Sequence, residues 1–244
     1  MTGQIDAELL KIRSTRTTIG LALGMIVLTL LFALLSGLLT KAPALTSTQD
    51  QLGLLSVGSL SGVFAALAGI MLITSEYRYG TIRPTFLFSP RRSRVLAAKL
   101  AAGLLAGLAF GVAGEALGFA IGIAILDARG IPYAPDAGTT ALLLGGTIAA
   151  SALWGAIGVG LGAILRNQVG AIIALLAWGF VVENLLFAFV PSVGRFGPVH
   201  AQNGLFGLTA EHLLSPAAGA ATLIAWTVAL AAAGVVLAAR RDVG

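Results

Sequence analysis

Apolar residues in this chain gather into six long runs, 18–40, 53–75, 100–126, 139–165, 169–190 and 217–239, separated by charged or glycine- and proline-bearing stretches. A helix of about 20 apolar residues crosses the hydrocarbon of a bilayer. Irregular backbone cannot face lipid without leaving its amides unpaired, so runs of this length are expected to be helices. The pattern predicts an all-α, polytopic membrane protein with six transmembrane helices in a single transmembrane domain spanning 1–244. Composition agrees, since 57% of residues are hydrophobic and 10% charged, against about 25% charged in a soluble domain. The mean hydropathy is +0.96. With no cysteine in the chain, disulfides, zinc–thiolate sites and thiol nucleophiles are excluded.

Charge changes this picture by giving the runs a direction. With the N-terminus inside, Lys11, Arg13, Arg16, Arg78, Arg83, Arg91, Arg92, Arg94, Lys99, Arg166, Arg240 and Arg241 fall on the cytoplasmic side, and only Lys41, Arg129 and Arg195 outside. Basic residues favour the cytoplasmic face, so both termini are expected in the cytoplasm and the chain in the cell membrane. The sequence pI near 10.2 reflects these span-end residues, and nucleic acid is not an expected partner. The first run is too long for a signal-peptide core and reads as a retained anchor.

Before that run, residues 1–17 read as a short amphipathic helix. Ile5, Leu9 and Ile12 mark one face and Asp6, Glu8, Lys11, Arg13 and Arg16 the rest, which suits a helix lying at the inner leaflet. A solvated extension of the first span is the other reading.

The stretch 76–99 holds six of the fifteen Lys and Arg residues, with Arg78 at its start and Lys99 at its end. Gly80 is an expected stop for the second helix. Ser89-Pro90 suits the start of the third, which then carries Arg91, Arg92, Arg94 and Lys99 up to the membrane. Between them Ile82, Phe86, Leu87 and Phe88 form an apolar knob. From the residues alone two readings stand: a knob for a partner protein, or aromatics dipping among headgroups whose phosphates the arginines hold.

The string Glu76-Tyr77-Arg78-Tyr79-Gly80-Thr81-Ile82, followed by Ser89-Pro90-Arg91-Arg92-Ser93-Arg94 and Lys99, resembles the permease subunits of ATP-binding-cassette (ABC) transporters of the type-2 exporter class. The segment Glu8 to Arg16 is similar to the N-terminal helix of that family. The resemblance implies that this chain is no enzyme: it supplies the pathway, and a separate ATPase subunit binds ATP and Mg. It also implies a second permease chain, identical or related, to complete the transporter. Glu76, Tyr77, Arg78, Gly80, Thr81, Ile82, Phe86, Arg91 and Arg94 would then belong to a coupling helix that meets the ATPase, with Glu8, Lys11, Arg13 and Arg16 beside it. Pro84, in the middle of the knob, departs from the family pattern and works against a helix there. The chain has no phosphate-binding loop ending in Gly-Lys-Ser or Gly-Lys-Thr. Open cargo classes are amphipathic or hydrophobic: drugs, antibiotics, peptides and lipids.

Within the spans, Gly103, Gly107 and Gly111, then Gly114, Gly118 and Gly122, recur every four residues. Such strips let helix backbones approach in lipid, within one chain or between two. Glu115 and Glu183, the latter beside Asn184, are acids inside runs. They must face protein or a wet cavity, either as structural hydrogen-bonding groups or, with Asn184, as the lining of a translocation pathway. The broken segment 191–216 is expected to fold back on the outer mouth as a re-entrant loop. His200, Glu211 and His212 read there as ordinary surface residues rather than a metal site, because no fourth ligand accompanies them. The rival reading is a stand-alone secondary transporter or channel, which calls for inverted repeats or interrupted helices. A membrane anchor without transport would not need two buried acids.

Overall fold

The computed structural model describes residues 2–81 and 92–240, and among these every regular element is helical. Ile82, Arg83, Pro84, Phe86, Arg91, the Ser89-Pro90 helix start and Arg241 lie outside the described residues, as do the side chains of Arg13 and Arg92. In chain order the helices are α1 (Thr2–Ser14), α2 (Arg16–Leu39), α3 (Thr48–Leu55), α4 (Ser61–Arg78), α5 (Arg92–Ala128), α6 (Ala137–Leu165), α7 (Gln168–Ala177), α8 (Glu183–Phe189), α9 (Pro191–Gly194), α10 (Pro198–Leu205) and α11 (Pro216–Arg240).

Six helical stretches are long and apolar enough to cross a membrane: Arg16–Leu39, Thr48–Arg78, Ser93–Ala128, Ala137–Leu165, Gln168–Phe189 and Pro216–Ala238. They match the six runs in number and place, as in a multi-pass membrane protein. Two boundaries differ from the apolar pattern. The second stretch starts at Thr48 because Ser47 caps α3, its hydroxyl accepting from the Asp50 amide at 3.2 Å. It then passes through a 3-10 turn at Ser56–Leu60 before α4. The third starts well before residue 100, so Arg94 and Lys99 are helical. At 1.5 Å per residue α5 is about 55 Å long, well beyond a bilayer core of about 30 Å.

Helix α6 is the centre of the bundle, packed against α4, α5 and α11, while α2, α7 and α8 lie at the periphery with most of their surface open. The glycines explain how these backbones come so close. A Cβ at Gly155 would collide with the Gly103 carbonyl, and one at Gly158 with the Ala66 carbonyl. The glycine strip of α5 is used entirely within the chain: Gly103, Gly107 and Gly111 face α6, whereas Gly114, Gly118 and Gly122 face Ser61, Gly58 and Leu55. Of its two readings, contact inside one chain is the one realised.

The broken segment after α8 folds back into the bundle, and Phe206 at the end of α10 is fully buried in the main apolar core with Leu143, Trp154 and Leu223. Gly80 adopts φ +70° just after α4 ends, as expected for a helix stop.

Candidate functional site

At the end of the bundle where α4 stops and α5 begins, four charged side chains from three helices meet. Lys99 of α5 is fully buried, and its ammonium donates to Glu76 Oε1 of α4 at 2.7 Å, to Glu8 Oε2 of α1 at 3.0 Å and to the Leu72 carbonyl at 3.1 Å. All three of its protons are thereby used. Lys11 Nζ donates to Glu8 Oε1 at 2.9 Å and to Glu76 Oε1 at 2.8 Å. Two carboxylates and two ammoniums balance, which is what allows Glu8, Glu76 and Lys99 to sit out of water. Glu76 Oε2 is buried without a hydrogen bond among the described residues.

Apolar packing brings the four together. Leu9 and Ile12 of α1 pack on Leu72, Ile73, Leu96, Ala102, Val159, Ala163 and Ala238, alongside Tyr77. The apolar face of α1 is therefore turned to protein, and Glu8 with it, which corrects the expectation of a helix whose charges all face headgroups or solvent. Lys99, expected where the third helix enters the membrane from the cytoplasm, lies inside the bundle with its charge paired. Around this core Arg166 stacks its guanidinium 5.3 Å from the centre of the Tyr77 ring and donates to the Leu237 carbonyl at 3.2 Å. Arg78 reaches Gln168 Oε1 at 3.4 Å and lies over Tyr79. Arg16, Arg94, Tyr79, Gly80 and Thr81 are exposed.

Beside the cluster opens a cleft of about 690 Å³, with Lys11, Thr15, Ser75, Glu76 and Arg78 at its rim and Leu21, Met71 and Leu72 among its apolar walls. Burial works against the charge on Lys11, but hydrogen bonds to Glu76 and Glu8 and the charges of both outweigh it and raise its pKa above the ordinary 10.5. A raised folded value stabilises the fold below the unfolded one and is lost as pH rises through the folded one. The stability difference between wild type and Lys11→Gln, followed by thermal unfolding, is thus expected to be constant up to about pH 10 and to shrink above it.

The two acids inside spans lie in different surroundings. Glu183 begins α8, just after a π-helical turn at Trp178–Val182. Its Oε1 accepts from the His200 amide at 2.7 Å and lies 3.1 Å from His200 Nδ1, so the carboxylate caps the N-terminus of α10. Gly197 makes the approach possible, because a Cβ there would collide with the Glu183 carboxyl. His200 is buried, its ring stacked on Phe187 with centres 4.0 Å apart. This corrects its reading as a surface residue. The signal missed was Pro198 at the start of a short helix with Gly197 before it, a helix N-terminus in need of an anion.

Asn184 donates to the carbonyls of Gly179 and Phe180 at 3.0 and 3.3 Å, both within the π turn. Its amide serves its own helix. Glu115, in α5, is 1% exposed, and neither of its oxygens has a hydrogen-bond partner among the described residues. The structure does not bring Glu115 and Glu183 together with the ion cluster in one site. Among the described residues no group of three or more His, Asp or Glu side chains is placed to hold a metal. Comparison with known protein families finds none whose pattern matches this chain, and comparison with curated proteins finds no match either.

Proposed function

We propose that this chain is the membrane-spanning permease subunit of an ATP-driven ABC exporter, with N- and C-termini in the cytoplasm of a cell-membrane protein, 1–17 as an interfacial helix and 76–99 as the coupling segment. The observation that carries the reading is the ion cluster: Glu76 and Lys99 stand at the two ends of that segment, are bonded to one another, and are each bonded to α1, Lys99 through Glu8 and Glu76 through Lys11. A push delivered to the residues between them reaches α1, α4 and α5 together, because the three helix ends are joined by charged hydrogen bonds rather than by a slack loop. The exposed residues Arg78, Tyr79, Gly80, Thr81 and Arg94 border the surface that the ATPase would meet. In this reading ATP and Mg are bound by the partner ATPase, a second permease chain completes the pathway, and the cargo is amphipathic or hydrophobic.

The test is co-purification from host cells with a soluble ATPase subunit. Wild type is expected to retain it and Phe86→Asp to lose it while staying folded. Cargo transport by the purified chain alone would overturn the proposal in favour of a secondary carrier. Orientation has its own check in this cysteine-free chain. A cysteine at Asp136 is expected to react with an impermeant maleimide from outside and one at Ser93 from inside only, and the reverse pattern rejects the topology.

A further inference from the structure

We propose that Glu115 is a proton-binding site within the membrane, and that its proton fastens the 3-10 joint between α3 and α4 to α5. The inference needs the chain to lie in a bilayer but does not depend on an ATPase partner. Glu115 sits where the joint crosses α5. A Cβ on Gly58 would lie 2.5 Å from Glu115 Oε2 and 2.7 Å from the Gly114 carbonyl, and one on Gly118 would lie 2.5 Å from the Gly58 amide nitrogen. The joint is thus seated in the groove made by the second glycine strip, with the carboxyl of Glu115 against it.

Among the described residues no positive charge faces this carboxyl from any element packed there. On α5 the nearest charged residues are Lys99 and Asp127, sixteen and twelve positions away, or roughly 24 and 18 Å along the helix. The stretch from Ala137 to Leu165 has no charged or histidine residue. Residues 17–39 of α2 have none, and between Thr48 and Arg78 there are only Asp50, Glu76 and Arg78. An uncompensated carboxylate in such a place takes up a proton instead.

The kind of polar group nearby points the same way. Glu183 receives a backbone N–H and a ring nitrogen, which suit an anion. Glu115 has no backbone N–H or ring nitrogen of that kind: its neighbours are the Gly58 backbone of the 3-10 turn, the Gly114 backbone and the Thr147 hydroxyl, which can donate to a carboxylate or accept from a carboxylic acid. The nearby Ser61 and Ser151 hydroxyls are bonded to one another at 2.7 Å. A carboxylic acid needs one acceptor for its O–H, which the Thr147 hydroxyl supplies, whereas a carboxylate would have that hydroxyl as its single donor among the described residues and would have to draw in water by lifting the joint.

The experiment uses the full chain in lipid nanodiscs. Infrared difference spectra between wild type and Glu115→Gln at neutral pH are expected to contain the carbonyl band of a protonated carboxylic acid, shifted by deuteration and lost on raising the pH. Glu183→Gln is expected to leave that band in place. Hydrogen exchange of residues 56–60, taken as the ratio of wild type to Glu115→Gln, is expected to rise as the pH passes the loss of the band. A carboxylate signal at neutral pH, with or without a bound metal cation, overturns the proton site, and an exchange ratio independent of pH overturns the fastening. Should Glu115→Gln not fold, mapping of a lipophilic carbodiimide on the wild-type chain decides: an adduct at Glu115 that vanishes at alkaline pH supports the site, and labelling at Glu183 instead rejects it.

Discussion

Lys99→Met is expected to destabilise the fold by about 3–5 kcal/mol, the usual cost of breaking a buried ion pair from one side. Methionine keeps most of the volume of the side chain and all of its apolar stem, so the loss isolates the ammonium. Without it Glu8 and Glu76, whose side chains are 8% and 7% exposed, share only Lys11, which is half in solvent. One negative charge in excess then sits in a place that water hardly reaches. Thermal unfolding in a mild detergent measures the effect. Adding Glu76→Gln to Lys99→Met is expected to recover a good part of the loss, since Glu8 and Lys11 again balance. A change within about 0.5 kcal/mol for the single variant, the range of an ordinary surface substitution, would mean that the four groups are not assembled.

Gly155→Ala is the second large effect. Gly155 lies where three backbones meet, since a Cβ on it would strike the Gly103 carbonyl of α5 and a Cβ on Gly69 of α4 would strike the Gly155 carbonyl. Neither obstacle is a side chain that can swing aside, so the helices must separate and lose contacts on both sides of α6. The expected cost is at the upper end of the roughly 1–3 kcal/mol typical of overpacking. Gly145→Ala, on the same helix with open space around it, is the control. It is expected to be neutral or to gain slightly from the better helix propensity of alanine. Equal effects at the two positions would reject this packing of α4, α5 and α6.

The spans were legible because each is a long apolar run, and helix is the form that pairs every backbone group in lipid. Gly80 as a stop and the use of the α5 glycines for close packing were legible for the same kind of reason: each is a local rule about backbone. The ion cluster was not. Glu8, Lys11, Glu76 and Lys99 could each be picked out as unusual, but Glu8 and Lys99 are 91 positions apart and Lys11 and Glu76 are 65 apart. Charge counting treats such residues as solvated and cannot say that they neutralise one another. His200 was misread because its partner, Glu183, belongs to another helix. Asn184 could be singled out as polar, but nothing in an apolar run announces the π turn that its amide bonds.

The joining of α1 to the bundle through Glu8 and Lys99 also sets an order for biogenesis. Helix α1 leaves the ribosome before any of its partners, and Glu8 has no buried counter-charge until Lys99 has been made and the third span has entered the bilayer. Until then its carboxylate stays hydrated at the membrane surface. The earliest of these segments to be synthesised is therefore among the later ones to reach its final place, and it acts as a latch that closes only over a correctly inserted first half of the protein.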